Sequence, residues 1–363
     1  RGARNDVYCA SIEHKLGIKA SPTAVLIYGD GKFPVGAQPG AIGYLIGEEN
    51  RGLEYMFIMM NAARFQVGMQ GIAIAERAYQ KAAAFAKERV QSRAVEGSRG
   101  PVTIINHPDV RRMLMFMRAN TEAARAIAYV AAGLFDVAHG AYDATMRTQA
   151  GAAYEYLVPI VKGWSTEMSI DVTSTGVQVH GGMGFIEETG AAQYYRDARI
   201  LTIYEGTTGI QANDLVGRKT ARDGGVVAKA FLAQMRATAA ELGDSESEDL
   251  RAIREPLVEA IDAYAAVVDY VVSNYNSDIR SVFAGSVPYL KLAGITHGGW
   301  QMARAALAAA RKLKAAASDE DFLRAKIATA RFFADHMLTS VPGLGKSIVR
   351  GAAGALAIPA ESF

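Results

Sequence analysis

The chain of 363 residues contains a single cysteine, Cys9, and only ten prolines. One cysteine excludes an intramolecular disulfide framework and fits a reducing compartment. No run without Asp, Glu, Lys or Arg reaches the ~20 residues that a helix needs to span a bilayer. The formal net charge is only +2, so composition gives no support for a nucleic acid or an anionic membrane as partner.

What the chain does contain is typical of a soluble globular protein. Half of the residues are hydrophobic and 21% are charged, which is enough for a sizeable core and for two or three domains. No signal peptide is recognisable, and we expect a cytoplasmic location in a bacterium. Because the chain opens at Arg1 within a region that reads as strands, we expect a further N-terminal part to precede it.

Residues 1–51 have the pattern of β structure. Two short apolar runs, 23–28 and 41–46, are each followed by glycine and predict strands. Two or three strands do not bury a core by themselves. We therefore interpret this segment as the end of a β-barrel middle domain.

From Gly52 onward the sequence favours long helices. Proline is rare, alanine and methionine are frequent, and apolar residues recur at helical spacing. Residues 52–220 predict an antiparallel bundle, and a polar junction at 223–225 separates it from a helical extension over 221–363. The fold class is thus α+β, mostly α. The predicted helices are 53–90, 107–138, 152–179, 187–198, 207–220, 226–242, 248–274, 297–317 and 319–339, with a break and an apolar tail from Val341.

In segment 196–211 one carboxylate, that of Glu205, lies between an apolar run and a predicted helix. An apolar run ends at Tyr204, and Glu205 follows it directly before Gly206 and Thr207. Glycine permits close backbone approach, and Thr207 is a good N-cap for the next helix. Glu205 would then lie at a helix start. Taken alone, the pattern fits better an acidic residue that only favours the helix dipole, since such residues are common.

Two further motifs are ambiguous on physical grounds. Glycines 181, 182 and 184 form a turn that lets a ligand touch the backbone, although a plain helix stop explains them equally well. The segment lacks the strand context of a dinucleotide-binding fingerprint. Basic residues at Arg89 and Arg93 end a long helix, where cations also favour the dipole.

The order and spacing of these segments resemble the acyl-CoA dehydrogenase family. The resemblance covers about residues 5–220, and the motifs are specific when taken together. Tyr204 to Lys219, followed by a helical extension, resembles the branch of that family with long polypeptides. The matching pieces are 15–23, 45–52, the helix with Arg64 and Gly71, Glu88-Arg89, 178–185 and 196–207.

The resemblance implies FAD-dependent α,β-dehydrogenation of an acyl-CoA thioester to a trans-2-enoyl-CoA. Glu205 is implied to abstract the α-proton while a hydride leaves the β-carbon for flavin N5. An electron-transfer flavoprotein is the implied electron acceptor. Further implied contacts to substrate are Asn61, Arg64, Tyr204 and Gly206; those to FAD are Arg89, Gln178, Gly181 and Gly182, across a dimer interface, and Thr207 within its own subunit.

The chain departs from the family pattern at two places. Ser92 and Arg93 stand where relatives commonly have Phe-Gly, and Gly209 stands where many relatives have Gln. Both departures remove a contact to FAD that the resemblance would otherwise imply. Asn61 stands where relatives often carry Asp. His180 lies within the glycine motif, and we expect a structural or flavin-lining role. No histidine has metal-ligand spacing, so we expect no metal site.

Three rival functions remain open from the sequence. An acyl-CoA oxidase keeps the base and the flavin but passes electrons to oxygen. A dehydrogenase-like DNA-binding protein would have a basic C-terminal region, but basic and acidic residues balance over 220–363. A catalytically dead scaffold would have no need of Glu205 or the glycine motif. We expect a homodimer, with the extension covering the surface through which shorter relatives form tetramers.

Overall fold

The computed structural model describes residues 4–36, 38–315 and 318–363. Residues 1–3 and the 316–317 end of the predicted helix 297–317 lie outside that description. The described chain divides into two compact units, one ending at Ala62 and the other running from Ala63 to Phe363. Its only β-sheet has two strands and the rest is mostly helical, so the predicted fold class is confirmed. No described helix is both long and apolar enough to cross a membrane.

The first unit contains an antiparallel hairpin of β1 (Val7–Ile12) and β2 (Ala24–Tyr28). The register pairs Val7 with Tyr28 and Ile12 with Ala24, with an irregularity between Cys9 and Ser11. The buried Asp6 carboxylate accepts hydrogen bonds from the backbone N–H groups of Gly31 (2.7 Å) and Phe33 (2.9 Å). These bonds tie the loop after β2 to the start of β1.

The predicted strand over 41–46 is wrong. That segment has no regular secondary structure. The Asn5 side chain instead accepts from the Ile42 N–H and donates to the Ile42 carbonyl, both at 2.8 Å. A side-chain amide thus satisfies the backbone groups that a neighbouring strand would otherwise bond.

The helices follow the predicted order but differ in extent. The predicted helix at 152 begins eight residues earlier and the one at 297 begins eleven residues earlier, and the predicted break at 341 is itself a helix. Residues 187–189 form a 3₁₀ turn before the fourth helix, and residues 214–221, at the end of the predicted helix 207–220, are π-helical. The helices are α1 (Gly52–Glu88), α2 (Pro108–Gly140), α3 (Ala144–His180), α4 (Ala191–Ala198), α5 (Thr208–Asn213), α6 (Val226–Gly243), α7 (Glu248–Asn274), α8 (Ile279–Ala284), α9 (Ser286–Lys314), α10 (Glu320–His336), α11 (Val341–Arg350) and α12 (Ala352–Ala355).

Helix α3 lies at the centre of the second unit. Residues 156–166 are buried one after another, as expected for a helix that is enclosed on all sides. It packs along α2, and α5 and α9 also contact it. Buried side chains from α1 through α11 belong to one hydrophobic cluster, so the bundle helices and the helices of the extension share a core. The predicted domain boundary at 220 stays a prediction.

Candidate active site

The turn between Thr202 and α5 carries Glu205 in an unusual backbone conformation. Glu205 has φ +55° and Gly206 has φ +89°, so two successive residues are left-handed. A non-glycine residue in this region costs about 1–3 kcal/mol and persists only where surrounding contacts fix it. The Thr207 side chain accepts a hydrogen bond from the Ile210 N–H and caps α5, as predicted. Glu205 therefore lies two residues before the N-cap of α5.

Two buried side chains, those of Lys162 and Gln211, donate hydrogen bonds to backbone carbonyls of this turn. Lys162 Nζ of α3 donates to the Gly206 carbonyl at 2.6 Å. Gln211 Nε2 of α5 donates to the same carbonyl at 3.2 Å and to the Glu205 carbonyl at 3.4 Å. Both residues have no exposed surface. The φ of +89° favours glycine at 206, and a Cβ there would lie 2.7 Å from Gln211 Nε2, so that side chain would have to shift.

Burial lowers the pKa of Lys162 to about 8. The charges of Glu167 and Glu205 act against that shift, and the Arg64 guanidinium adds to it. Near neutral pH the ammonium is thus still largely protonated, in an interior where a charge is costly unless it is paired and hydrogen-bonded. Glu167 also accepts a hydrogen bond from the Thr208 hydroxyl at 2.5 Å, next to the same turn.

Arg64 is placed in a buried ion pair that the sequence did not reveal. Its Nη1 lies 3.6 Å from an Asp214 carboxylate oxygen, and both side chains are buried. Arg218 Nε contacts the other oxygen of Asp214 at 2.6 Å. Among the described residues, Arg64 Nε has no hydrogen-bond partner. One donor of this cation is therefore buried without a hydrogen-bond partner.

The remaining predicted substrate contacts have different surroundings. The half-buried Tyr204 donates a hydrogen bond from its hydroxyl to the side-chain carbonyl of Gln70 on α1. Burial raises the pKa of Tyr204, and the charge of Glu205 raises it further. Asn61 belongs to the first unit, where its side chain is exposed, and its place beside Glu205 stays a prediction.

A second feature is a cavity of about 770 Å³ at the C-terminal end of α3. It brings together Arg89, Gln178, Gly181 and Gly182, the four residues that the sequence assigned to one ligand. A Cβ on Gly181 or Gly182 would meet nothing within 4 Å, so open space lies above their backbone. The Arg89 guanidinium is exposed and forms no ion pair with a residue that the structure describes.

His180 forms part of the wall of this cavity. Its ring stacks on Phe85 with centroids 4.4 Å apart, and Nδ1 lies 2.7 Å from the Gly176 carbonyl. Burial lowers the pKa of His180, which favours the neutral ring. Gly184 has a structural role, because a Cβ there would lie 2.3 Å from the Val177 carbonyl oxygen. Ser92 and Arg93 also line the cavity.

Comparison with known proteins decides the family. A family model described as the C-terminal domain of acyl-CoA dehydrogenase matches residues 50–219. A second, described as acetyl-CoA dehydrogenase C-terminal like, matches residues 231–359. The chain belongs to the acyl-CoA dehydrogenase family. The first model spans the bundle, including the turn with Glu205, and the second spans most of the extension.

Curated members of the family are similar over most of this chain. The chain is 53% identical over 337 residues to the 3-methylmercaptopropionyl-CoA dehydrogenase of Ruegeria pomeroyi, a match of 92% of this chain and 55% of that protein. It is 34% identical over 352 residues to the broad-specificity linear acyl-CoA dehydrogenase FadE5 of Mycobacterium tuberculosis, covering 93% and 56%. The chain thus spans a little over half the length of these relatives.

Solved structures of the family share the fold. An acyl-CoA dehydrogenase of Bacillus anthracis complexed with FAD matches with a TM-score of 0.72 at 22% identity, over 96% of this chain and 57% of that one. The Caenorhabditis elegans protein ACDH-11 in complex with C11-CoA matches with a TM-score of 0.70 at 20% identity, over 95% and 54%.

Apart from Asn61 and Arg64, the predicted site residues fall into two separate groups in the second unit. Tyr204, Glu205, Gly206 and Thr207 form the turn, and Arg89, Gln178, Gly181 and Gly182 line the cavity. Sequence reasoning missed Lys162 and Gln211, which hold the turn. The signal for Lys162 was available, since it is the only charged residue in the buried stretch 156–166. In the described chain no group of three or more His, Cys, Asp or Glu could hold a metal ion.

Proposed function

We propose that the intact protein is an FAD-dependent acyl-CoA dehydrogenase in which Glu205 removes the α-proton of the thioester. The observation that carries the proposal is the strained turn. Glu205 is the only carboxylate on this turn and is half-buried. Hydrogen bonds from Lys162 and Gln211 to the Gly206 carbonyl fix its backbone conformation. A base must be held in position to be effective, and a positioned general base contributes about 100- to 10,000-fold in rate.

The residues of the cavity fit FAD. Its size, the exposed Arg89 guanidinium and the open space above Gly181 and Gly182 suit a phosphate-bearing ligand that approaches the backbone closely. Arg89 would pair with phosphate oxygens, and Gln178 would supply an amide hydrogen bond. The hydride that leaves the substrate β-carbon would be taken up by FAD when it is bound.

Two groups of Glu205, its carboxylate and its backbone N–H, would then have separate roles in the deprotonation. The Glu205 carboxylate takes the α-proton, and the Glu205 N–H supports the negative charge that develops on the thioester oxygen. Tyr204 and Gly206 would line the acyl pocket next to the base. Arg64, which keeps one unpartnered donor, and Asn61 would contribute polar contacts to the substrate.

The acyl group and the electron acceptor are part of the same proposal. The relative at 53% identity is named for 3-methylmercaptopropionyl-CoA, which makes that thioester the first candidate substrate. We propose an electron-transfer flavoprotein as acceptor; a relative 31% identical over 199 residues is named as a subunit of a reductase–Etf complex.

We also propose a homodimer in a bacterial cytoplasm, with the extension covering the outer surface of the bundle.

The test is anaerobic mixing of the intact holoprotein with a panel of acyl-CoA thioesters. We expect loss of oxidised-flavin absorbance with at least one thioester and formation of the 2-enoyl product. Reduced protein is then mixed with oxygen or with an electron-transfer flavoprotein, and we expect fast reoxidation only by the latter. Rapid reoxidation by oxygen would make the protein an oxidase. No bleaching by any thioester would refute the proposed activity.

A further inference from the structure

The ammonium of Lys162 is buried close to the proposed base. The residue lies in the middle of α3 with no exposed surface and is the only charged residue in the buried stretch 156–166. Burying a charged group is costly unless it gains strong interactions in return. The bond it makes is to one atom, the carbonyl oxygen of Gly206, at 2.6 Å. That carbonyl belongs to the residue directly after the proposed base.

The backbone at this point needs such a bond. Glu205 and Gly206 are both left-handed, and for Glu205 that conformation is intrinsically unfavourable. A charge-assisted hydrogen bond is shorter and roughly twice as strong as a neutral one. Gln211 adds a neutral donor to the same carbonyl at 3.2 Å. The Lys162 bond is therefore the shorter and stronger of the two that the Gly206 carbonyl accepts.

Close packing surrounds the Lys162 end of this bond. Gly163 follows Lys162, and a Cβ there would lie 2.5 Å from Leu290 Cδ2 of α9 and 3.1 Å from the Gln211 Cβ. Glycine at 163 thus lets α5 and α9 press against α3 beside Lys162. In a dry environment the electrostatic part of a hydrogen bond is stronger than in water.

We propose that Lys162 is a positioning residue for Glu205, because its ammonium anchors the Gly206 carbonyl and so fixes the turn that presents the carboxylate. The inference rests on the proposed function of Glu205, since it assigns the residue that holds the base in place. Lys162 touches neither the reacting atoms nor the thioester. Its effect is on the rate of proton abstraction, and it leaves acyl-CoA affinity largely unchanged.

The first test compares Lys162→Met and Lys162→Arg in the intact holoprotein. A misplacement of about 1 Å costs on the order of 100-fold in rate, so we expect Lys162→Met to slow flavin reduction at saturating acyl-CoA by about 10- to 100-fold. The dissociation constant for acyl-CoA should stay within about threefold. Lys162→Arg keeps a charged donor and should recover most of the rate. Equal rates for wild type and Lys162→Met, or equal losses for Met and Arg, would overturn the inference.

A matched control lies on the same helix. Thr173 is buried, and its hydroxyl donates only within α3, to Ser169 at 2.7 Å and to Ile170 at 3.1 Å. Thr173→Val also removes a buried polar group from α3, but it leaves the turn intact. We expect it to reduce flavin at the wild-type rate. A loss equal to that of Lys162→Met would mean that any polar deletion in α3 is harmful, and the inference would fail.

The pH profile gives a readout that a purely structural lysine would not move. The charged groups that act on Lys162 are Glu167 on α3, Arg64 on α1 and Glu205 on the turn, and burial sets its pKa at about 8. Protonated Lys162 predominates below that pH and is lost above it. We expect the wild-type rate to fall partially above pH 8, because a neutral amine still donates weakly, and the fall to be absent in Lys162→Met. A wild-type rate that is level through pH 9 would contradict the proposal, even if Lys162→Met does not fold.

Hydrogen exchange separates this inference from the proposed function. The amides of the peptide 203–211 should exchange about tenfold faster in Lys162→Met than in wild type or Thr173→Val, since 1.4 kcal/mol of lost stability corresponds to that factor. This holds whether or not any thioester is a substrate. Absence of flavin reduction in the wild type would refute the proposed activity, whereas unchanged exchange in Lys162→Met would refute the anchoring.

Discussion

The middle and the C-terminal end of α3 have opposite environments. Residues 156–166 are buried without interruption, whereas Gln178 near the C-terminal end is exposed beside the cavity of about 770 Å³. In the enclosed middle, Gly294 of α9 approaches the Trp164 ring. At the open end Gly181 and Gly182 have nothing above them. One helix thus holds a turn rigidly at its middle and leaves its terminal backbone accessible to a ligand.

The enclosed part also contains buried hydroxyl groups that join the bundle to the extension. Tyr156 of α3 contacts the hydroxyls of Tyr264 (2.5 Å) and Tyr289 (3.2 Å), and Tyr289 contacts Thr220 at 3.0 Å. His297 Nε2 lies 3.4 Å from the Tyr264 hydroxyl. Buried polar groups are costly unless partnered, so this network specifies how α7 and α9 dock on α3.

The largest effect on stability is expected from a methyl group added in the enclosed part. In Gly294→Ala the new Cβ would lie 2.2 Å from Trp164 Cγ, and the rigid ring cannot shift as a flexible side chain can. We expect a loss of about 3 kcal/mol in the free energy of unfolding, the upper end for overpacking. Gly182→Ala at the open end should be neutral or stabilise by up to about 1 kcal/mol, because it restricts the unfolded chain. Urea unfolding of both variants measures these free energies. Equal losses of stability would contradict the contrast between the middle and the C-terminal end of α3.

A smaller effect is expected from His297. Burial lowers its pKa to about 3, from the usual 6.5 of the unfolded state. Below pH 6.5 the unfolded chain binds a proton that the folded chain does not, so stability from this group is complete above pH 6.5 and declines as pH falls toward 3. Between pH 7 and pH 5 we expect a loss of about 2 kcal/mol.

That loss should largely disappear in His297→Leu, which has no proton to gain. His336→Gln changes an exposed histidine on α10 and is the matched control, which should keep the wild-type slope. Urea titrations at pH 7, 6 and 5 give the comparison. A slope that is unchanged in His297→Leu would show that another group carries the pH dependence.

The smallest effect in this series concerns the open end. Gly182→Leu would place a side chain in the cavity, where nothing lies within 4 Å of the new Cβ. We expect stability of the flavin-free protein to be unchanged and the FAD dissociation constant to rise about tenfold, or 1.4 kcal/mol. Flavin titration by fluorescence measures this. Unaltered FAD affinity would place the cofactor elsewhere than in the cavity.

Much of the fold was predictable because helical periodicity is a strong signal in long amphipathic segments. The cap at Thr207 and the order of the helices followed from local rules. The start of α9 did not, because Pro288 and Gly294 favour a break. Pro288 lies in the first turn, where its missing N–H is harmless, and Gly294 is needed for contact with Trp164. Such tertiary demands are invisible in a single sequence.

The candidate site was predictable to the extent that a motif encodes it. The resemblance identified Glu205 and the residues that line the cavity, but it did not identify what holds them. Lys162 lies 43 residues before Glu205, on another helix, and only the packing of α3 against α5 brings it to the Gly206 carbonyl. The ion pair of Arg64 with Asp214 likewise joins residues 150 positions apart.

The central claim, that Glu205 is the base, is tested most directly by Glu205→Gln in the intact holoprotein. Gln keeps the size of the side chain and the backbone N–H, so FAD and acyl-CoA affinity should be nearly unchanged. An amide does not accept a proton near neutral pH, and we expect flavin reduction under anaerobic mixing to slow by about 10,000-fold, the upper end for a general base. Flavin bleaching at a rate close to that of the wild type would mean that another residue removes the proton, and the assignment of the turn would fall with it.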